Sequence, residues 1–257
     1  MKAKTITMML KRSVDLRGGE VKPILSVRRF ATQRFHDRQP MSEPVVETIE
    51  IVTDRLRLRQ WRSADRDPFA ALNADPRVME FFPATLTQAE SDAMADRCER
   101  LISERGWGFW VVETRTGQEF IGMVGLHPTA SELPFSPAIE ISWRLAVQHW
   151  GRGYATEAAQ GALRVGFTQL HMTEIVAFTA VGNTRSRTVM ERIGMHHAGE
   201  TFEHPRVLVG SVLRTHCLYR LTHGQWEADV AHSSGVPGLK LSGDRSKQSA
   251  RTISVTK

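Results

Sequence analysis

The stretch "AIEISWRLAVQHWGRGYATEAA", residues 138–159, joins two periodicities through one turn. Ile139, Ile141, Trp143 and Leu145 alternate with Glu140, Ser142 and Arg144, which is the pattern of a half-buried strand. Further on, Ala155, Ala158, Ala159, Ala162, Gly166 and Leu170 recur at three- and four-residue steps, laying a small-residue face along a helix. Between the two lie Gly151 and Gly153 on either side of Arg152. A strand that ends in such a turn and feeds a helix aims several backbone N–H groups at one point. The helix dipole adds partial positive charge there, so the point favours a phosphate. Glycine admits unusual backbone angles and lets a ligand approach with no Cβ in the way. Arg152 can add a charge-assisted contact from the rim.

Two phosphate-binding patterns are excluded. In a dinucleotide fingerprint Thr156 would stand where a third glycine is required, and the preceding strands read as hairpin-connected rather than parallel. No Gly-Lys-Ser/Thr follows, so the turn is not a nucleotide-hydrolase P-loop. Two glycines are also what a tight strand-to-helix turn with no ligand needs. The surroundings must therefore decide.

Outward from the turn, "DRLRLRQW" alternates Leu56 and Leu58 against Arg55, Arg57 and Arg59, a strand with its arginines on the solvent face. Two helical stretches follow between Ala64 and Arg105, with breaks at Pro76 and Pro83. "GWGFWVVE", "TRTGQ" and "EFIGMVGLH" predict strand, turn and hairpin partner. After the helix, "EIVAFTA" is a strand. "NTRSRTVMERIG" is a short helix with Asn183 as N-cap and Gly194 as its stop, and "HHAGETF" and "GSVLRTHCLYRL" are closing strands. The order β-α-α-β-β-β-α-β-α-β-β predicts one α/β (α+β) domain over residues 50–224, with a mixed, mostly antiparallel sheet.

The formal charge of +6 divides unevenly along the chain. Residues 1–40 hold ten Lys and Arg against three Asp and Glu, residues 226–257 five against three, and residues 41–225 carry a net −3. A body that grips a phosphate backbone should itself be basic, so nucleic-acid binding is not expected. Residues 1–49 are expected to be a flexible basic extension. "RRFATQRF" has the arginine content of a transit segment, but Asp15, Glu20 and Asp37 argue against one, and Met41 offers an internal start. The Ser/Gly/Lys-rich residues 225–257 are expected to be disordered. Apolar content of 41% without a window of about 18 uncharged apolar residues excludes a spanning helix. Cys98 and Cys217 match no ligand spacing, and His127, His196, His197 and His204 share no metal spacing, so no metal is expected.

Set between that strand and that helix, the Gln148-x-x-Gly151-x-Gly153 turn resembles the pyrophosphate-binding motif of the GNAT acetyltransferases. The resemblance runs from "TDRLRLRQW" through "NADPRVMEFF", "GRGYATEAAQGALRVGF" and "NTRSRTVMERIGMHHAGE" to "LRTHCLYRL", about 170 residues in the family's order. It is nearest to the RimJ/RimL-like ribosomal-protein N-terminal acetyltransferases. It implies the GNAT fold, acetyl-CoA as co-substrate and an amine as acceptor. It further implies that Leu145, Ala146 and Val147 flank the pantetheine arm, and that the N–H groups of Gln148, Gly151, Arg152, Gly153 and Tyr154 surround the pyrophosphate. Asn183 would touch the cofactor arm as well as cap its helix. Many relatives carry a tyrosine that protonates the departing thiolate where this chain has Met190; Ser186 or an ordered water is the substitute expected.

Acetyl transfer needs a neutral amine, and a chain terminus has a pKa of about 8. Glu140, mid-strand and just before the turn, is the candidate base; otherwise it is a solvent-facing carboxylate paired to Arg144. A backbone N–H near Leu145 to Val147 would stabilise the oxyanion, with no acyl-enzyme required. Phe81, Phe82, Trp107, Phe109 and Trp110 are candidates for an acceptor wall or for core. The resemblance favours a protein N-terminal α-amino group as acceptor. Polyamines, amino sugars or a CoA-binding module without catalysis remain as alternatives. A cytoplasmic monomer or homodimer without membrane attachment is expected.

Overall fold

Strand alternation and helix capping produce the expected elements in the expected order, to which the structure adds a short strand at each end and a C-terminal helix. The computed structural model describes residues 46–232 and the strand 240–241; the rest of the expected leader and tail lies outside the described residues. Strands β1 (Ile51–Val52) and β2 (Leu56–Arg59) precede helices α1 (Arg66–Ala74) and α2 (Gln88–Arg105). Strands β3 (Phe109–Thr114), β4 (Phe120–Pro128) and β5 (Ile139–Leu145) lead to helix α3 (Tyr154–Thr168). Strand β6 (Glu174–Ala180), helix α4 (Thr184–Arg192), strands β7 (His196–Glu203) and β8 (Thr215–Thr222), helix α5 (His223–His232) and strand β9 (Lys240–Leu241) complete it. The sheet order is β7-β8-β6-β5-β4-β3-β2-β1-β9. Every pairing is antiparallel except β5 with β6.

The two faces of β5 have different fates. A Cβ on Gly166 of α3 would meet Ile175 and Leu126, and Leu126 stands opposite Ile141 in the β4–β5 ladder. Ile139, Ile141, Trp143 and Leu145 therefore face α3. Glu140, Ser142 and Arg144 face the side of α1 and α2, where Arg144 bonds Asn73 of α1. The small residues Ala158, Ala159 and Ala162 let α3 lie close against the sheet, and all three are fully buried.

Three expectations change. Arg59 is not on a solvent face: it is 3% exposed, donates from Nη1 and Nη2 to Asp65 and from Nε to Glu113 at 2.5 Å, and the two carboxylates balance its burial. Residues 46–49 are not a loose leader, because Ile49 N–H donates to Gly106 O and Trp110 Nε1–H donates to Ile49 O at 2.7 Å. Residue 224 is not where order stops. Helix α5 runs to His232 because Trp226 supplies an apolar ring that packs on Phe167 of α3 at 5.3 Å.

Candidate functional site

Strands β5 and β6 register through one pair, Glu140 with Val176, and β5 runs five residues further without pairing β6. On its other edge β5 stays laddered to β4 as far as Leu145. The two parallel strands thus part beyond Glu140, and the gap opens toward the turn that follows β5.

That turn is fixed from three sides. Trp150 Nε1–H donates to Leu145 O at 2.7 Å, Ala146 N–H to Ile121 O, and Val147–His149 form one turn of 3-10 helix. Gly151 and Gly153 hold φ of +73° and +78°. A Cβ on Gly151 would meet nothing, and on Gly153 only Arg55 Nη2 at 3.5 Å, so the left-handed backbone and not crowding calls for glycine. The N–H groups of Val147, Gln148, Gly151, Arg152 and Gly153 have no partner among the described residues. Tyr154 opens α3, so its N–H has none within the helix. These donors at a helix N-terminus fit a pyrophosphate. Of the three residues expected along a pantetheine arm, Ala146 spends its N–H on β4, Leu145 has its carbonyl engaged by Trp150, and Val147 keeps its N–H free.

A clamp not foreseen in the sequence holds the turn from the far side of the chain. Arg55 Nη1 donates to Arg152 O at 2.9 Å, its Nε to Glu157 at 2.6 Å, and its guanidinium lies 4.7 Å from the Tyr154 ring. Glu157 Oε1 also accepts from Thr53 Oγ1 and Arg55 N–H. Gly153→Val would force a β-branched residue into left-handed backbone at about 1–2 kcal/mol, and is expected to weaken CoA about tenfold by calorimetry. Glu157→Gln is expected to raise the KM for acetyl-CoA while leaving that for the amine unchanged in steady-state kinetics.

Across the gap, α4 begins at Asn183, whose Oδ1 accepts from Ser186 N–H at 3.2 Å and whose Nδ2 donates to Thr179 Oγ1 at 2.9 Å. Both ends of its side chain are engaged as a cap. Ser186 Oγ is partly exposed and has no partner among the described residues. Arg185 ties the two sides together, stacking on Trp150 at 4.8 Å and pairing with Glu80 of the α1–α2 loop. Met190 is buried in the core. The chain's two tyrosines are Tyr154, under Arg55, and Tyr219, whose hydroxyl donates to Glu191 and accepts from Arg187.

Glu140 lines a pocket of about 160 Å³ with Leu133, Phe178, His204 and Arg206. Its carboxyl has no hydrogen-bond partner among the described residues and makes no ion pair with Arg144. Burial raises its pKa from 4.5 to about 7, against a smaller opposing pull from Arg206. Arg206 pairs with Glu132 at 2.5 Å, linking the β7–β8 and β4–β5 loops beside the pocket. His127 stands opposite Glu140 in the β4–β5 ladder, its pKa lowered by burial and its Nδ1 on Pro128 O. Phe82 covers the Arg144 guanidinium and Phe81 lies by Gly182, so both aromatics reach the gap, whereas Trp110 is core. Burial pushes the Cys98 thiol up to about 11, which removes it as a nucleophile. No metal-holding group of three or more His, Cys, Asp or Glu exists among the described residues, and none of their helices is long and apolar enough to cross a membrane.

The chain matches the acetyltransferase (GNAT) domain over residues 55–196. The Bacillus subtilis protein YkkB is 33% identical over 58% of this chain and 86% of its own length. The Aspergillus fumigatus FsC-acetyl coenzyme A-N(2)-transacetylase is 28% identical over 68% of this chain and 76% of its own. The structure of Mycobacterium smegmatis RimJ in complex with CoA-disulfide superposes with a TM-score of 0.56 at 20% identity, covering 74% of this chain and 95% of that one. With strands parting before a glycine turn of free N–H groups, and with most of the domain matched, the chain belongs to the GNAT family of N-acetyltransferases, which use acetyl-CoA.

Proposed function

We propose that this N-acetyltransferase passes the acetyl group directly to an amine deprotonated by Glu140, and that the acceptor is a protein N-terminal α-amino group. Acetyl-CoA supplies the acetyl as a thioester, its pyrophosphate held by the N–H groups from Gln148 to Tyr154. The observation that carries the reading is the unpaired Glu140 carboxyl, raised to about 7 and set at the last β5–β6 pair, where the gap begins. Its carboxylate takes the proton from the ammonium. The C–N bond forms, Val147 N–H serves the developing oxyanion, the C–S bond breaks and CoA leaves as its thiolate. As the C–S bond breaks, the nitrogen's second proton passes through Ser186 Oγ on the opposite side of the gap, or through water, to the thiolate, so the relay group ends as it began.

Two features favour a protein acceptor over a polyamine. The pocket admits only one end of a molecule, about the bulk of one side chain. Beside it the β7–β8 loop presents Leu208, Val209 and Val212 at 83–94% exposure, contact area that a small amine does not use. The unpaired, buried Cys98 and Cys217 accord with a reducing cytoplasm. Free-thiol release from acetyl-CoA over a panel of N-terminal peptides, polyamines and amino sugars tests the reading. Peptides are expected to give the highest kcat/KM; turnover confined to small amines would overturn the acceptor, and CoA binding without turnover on any amine would overturn catalysis.

A further inference from the structure

We infer that Arg144 anchors a carboxylate on the acceptor, so that this transferase selects amines whose own molecule carries an acid group close to the nitrogen. The inference rests on the acceptor side of the site proposed above. Arg144 shares the face of β5 that carries Glu140 and Ser142, and it lies where β5 has parted from β6. It is 8% exposed, yet makes no ion pair among the described residues. Its Nη1 donates to Asn73 Oδ1 at 2.5 Å and lies 4.0 Å from Met94 Sδ, and the Phe82 ring covers the guanidinium at 4.3 Å. Nε is fully buried without an acceptor, and Nη2 has none among the described residues.

A buried cation is ordinarily matched by a buried anion. The nearby acids are committed elsewhere: in the α1–α2 loop, Asp75 pairs with Arg77 and Glu80 with Arg185. Burial accordingly lowers the Arg144 pKa from 12.5 to about 10, with only Cys98 acting against it. Contrast Arg59, 3% exposed, which holds two carboxylates. The fold therefore keeps one guanidinium without a counter-ion at the acceptor side: Nε is enclosed and Nη1 is held by Asn73, so Nη2 is the donor left for a carboxylate oxygen. Four residues of strand separate Arg144 from Glu140, about 13 Å between Cα atoms before either side chain reaches inward. That span accommodates the first two residues of a peptide, about 7 Å of chain. Ser142 lies between them with a hydroxyl that has no partner among the described residues.

Matched peptides differing only in Glu or Gln at the second position, with the same free N-terminal residue, test this directly. The wild-type protein is expected to favour the Glu peptide at least about tenfold in kcat/KM, the worth of one charge-assisted pair. Arg144→Met is expected to bring that ratio to about one, and Arg144→Lys to leave it intermediate, because an ammonium keeps the charge but cannot bond Asn73 and a carboxylate with the guanidinium's fixed geometry. The ratio within one variant is insensitive to a general loss of folded protein. If Arg144→Met does not fold, the wild-type ratio and the Lys variant still decide. Equal rates on the two peptides in the wild type, or a Glu preference surviving in the Met variant, would overturn the inference alone. Turnover of no peptide at all would overturn the acceptor reading and this inference with it.

Discussion

Glu140→Gln is expected to lower kcat/KM at pH 8 by about 10²–10⁴-fold, the range for loss of a positioned general base. The pH profile separates this from a binding defect. The carboxyl titrates near 7, and as the proposed base it works only when ionised, so wild-type kcat/KM should rise tenfold per pH unit below about 7 and level above it. The variant should lose that limb. Stability provides an independent sign. The folded pKa lies above the unfolded value, so the fold binds the proton more tightly and ionising Glu140 destabilises it as pH rises from about 4.5 through 7. The amide carries no such charge, so Glu140→Gln should melt at a higher temperature than wild type at pH 8, with a smaller difference at pH 5. An unchanged rate from pH 6 to 9 would remove Glu140 from the chemistry.

Arg59→Met is expected to be the most damaging change to stability. It strips the counter-ion from Asp65 and leaves Glu113 only the more distant Arg57 and Arg62, at 3.8 and 3.7 Å; the two carboxylates are 3% and 2% exposed, and stranded buried charges of this kind cost about 3–5 kcal/mol. For a domain of this size that is a fall of roughly 6–20 °C in melting temperature by calorimetry. Replacing all three residues by apolar ones of similar volume should recover most of the loss, since no charge is then left unpaired. A single variant as stable as wild type would mean that the triad is solvated in solution.

Much of the fold was readable because its elements differ in period. The alternation over Ile139–Leu145 and the three-four spacing from Ala155 allow no exchange of strand for helix, and the glycines mark the joint. Asn183 and Gly194 bound α4 as their cap chemistry predicts. What escaped was tertiary. Arg59 alternates like a solvent-facing residue, and nothing local tells that Glu113, 54 positions on, will meet it. The Arg55–Glu157 clamp spans 102 positions and hides in the same arginine alternation. Arg144 looked like a surface partner for Glu140; its isolation follows from α1 and the Phe82 loop folding over it. Helix α5 was missed because one tryptophan, set in a polar tail, carries its docking.

The single register pair between β5 and β6 makes the sheet two half-sheets joined near Glu140, with strands β1 to β5 and β9 on one side and β6 to β8 on the other. Beyond that rung the protein has an edge on its inside, backbone polarity of the sort that elsewhere recruits a neighbouring strand. A pantetheine arm laid in that cleft would stand in for the missing rung and stitch the halves together. Substrate would then be part of the architecture, and an empty enzyme would differ from a loaded one chiefly in how freely its two halves breathe.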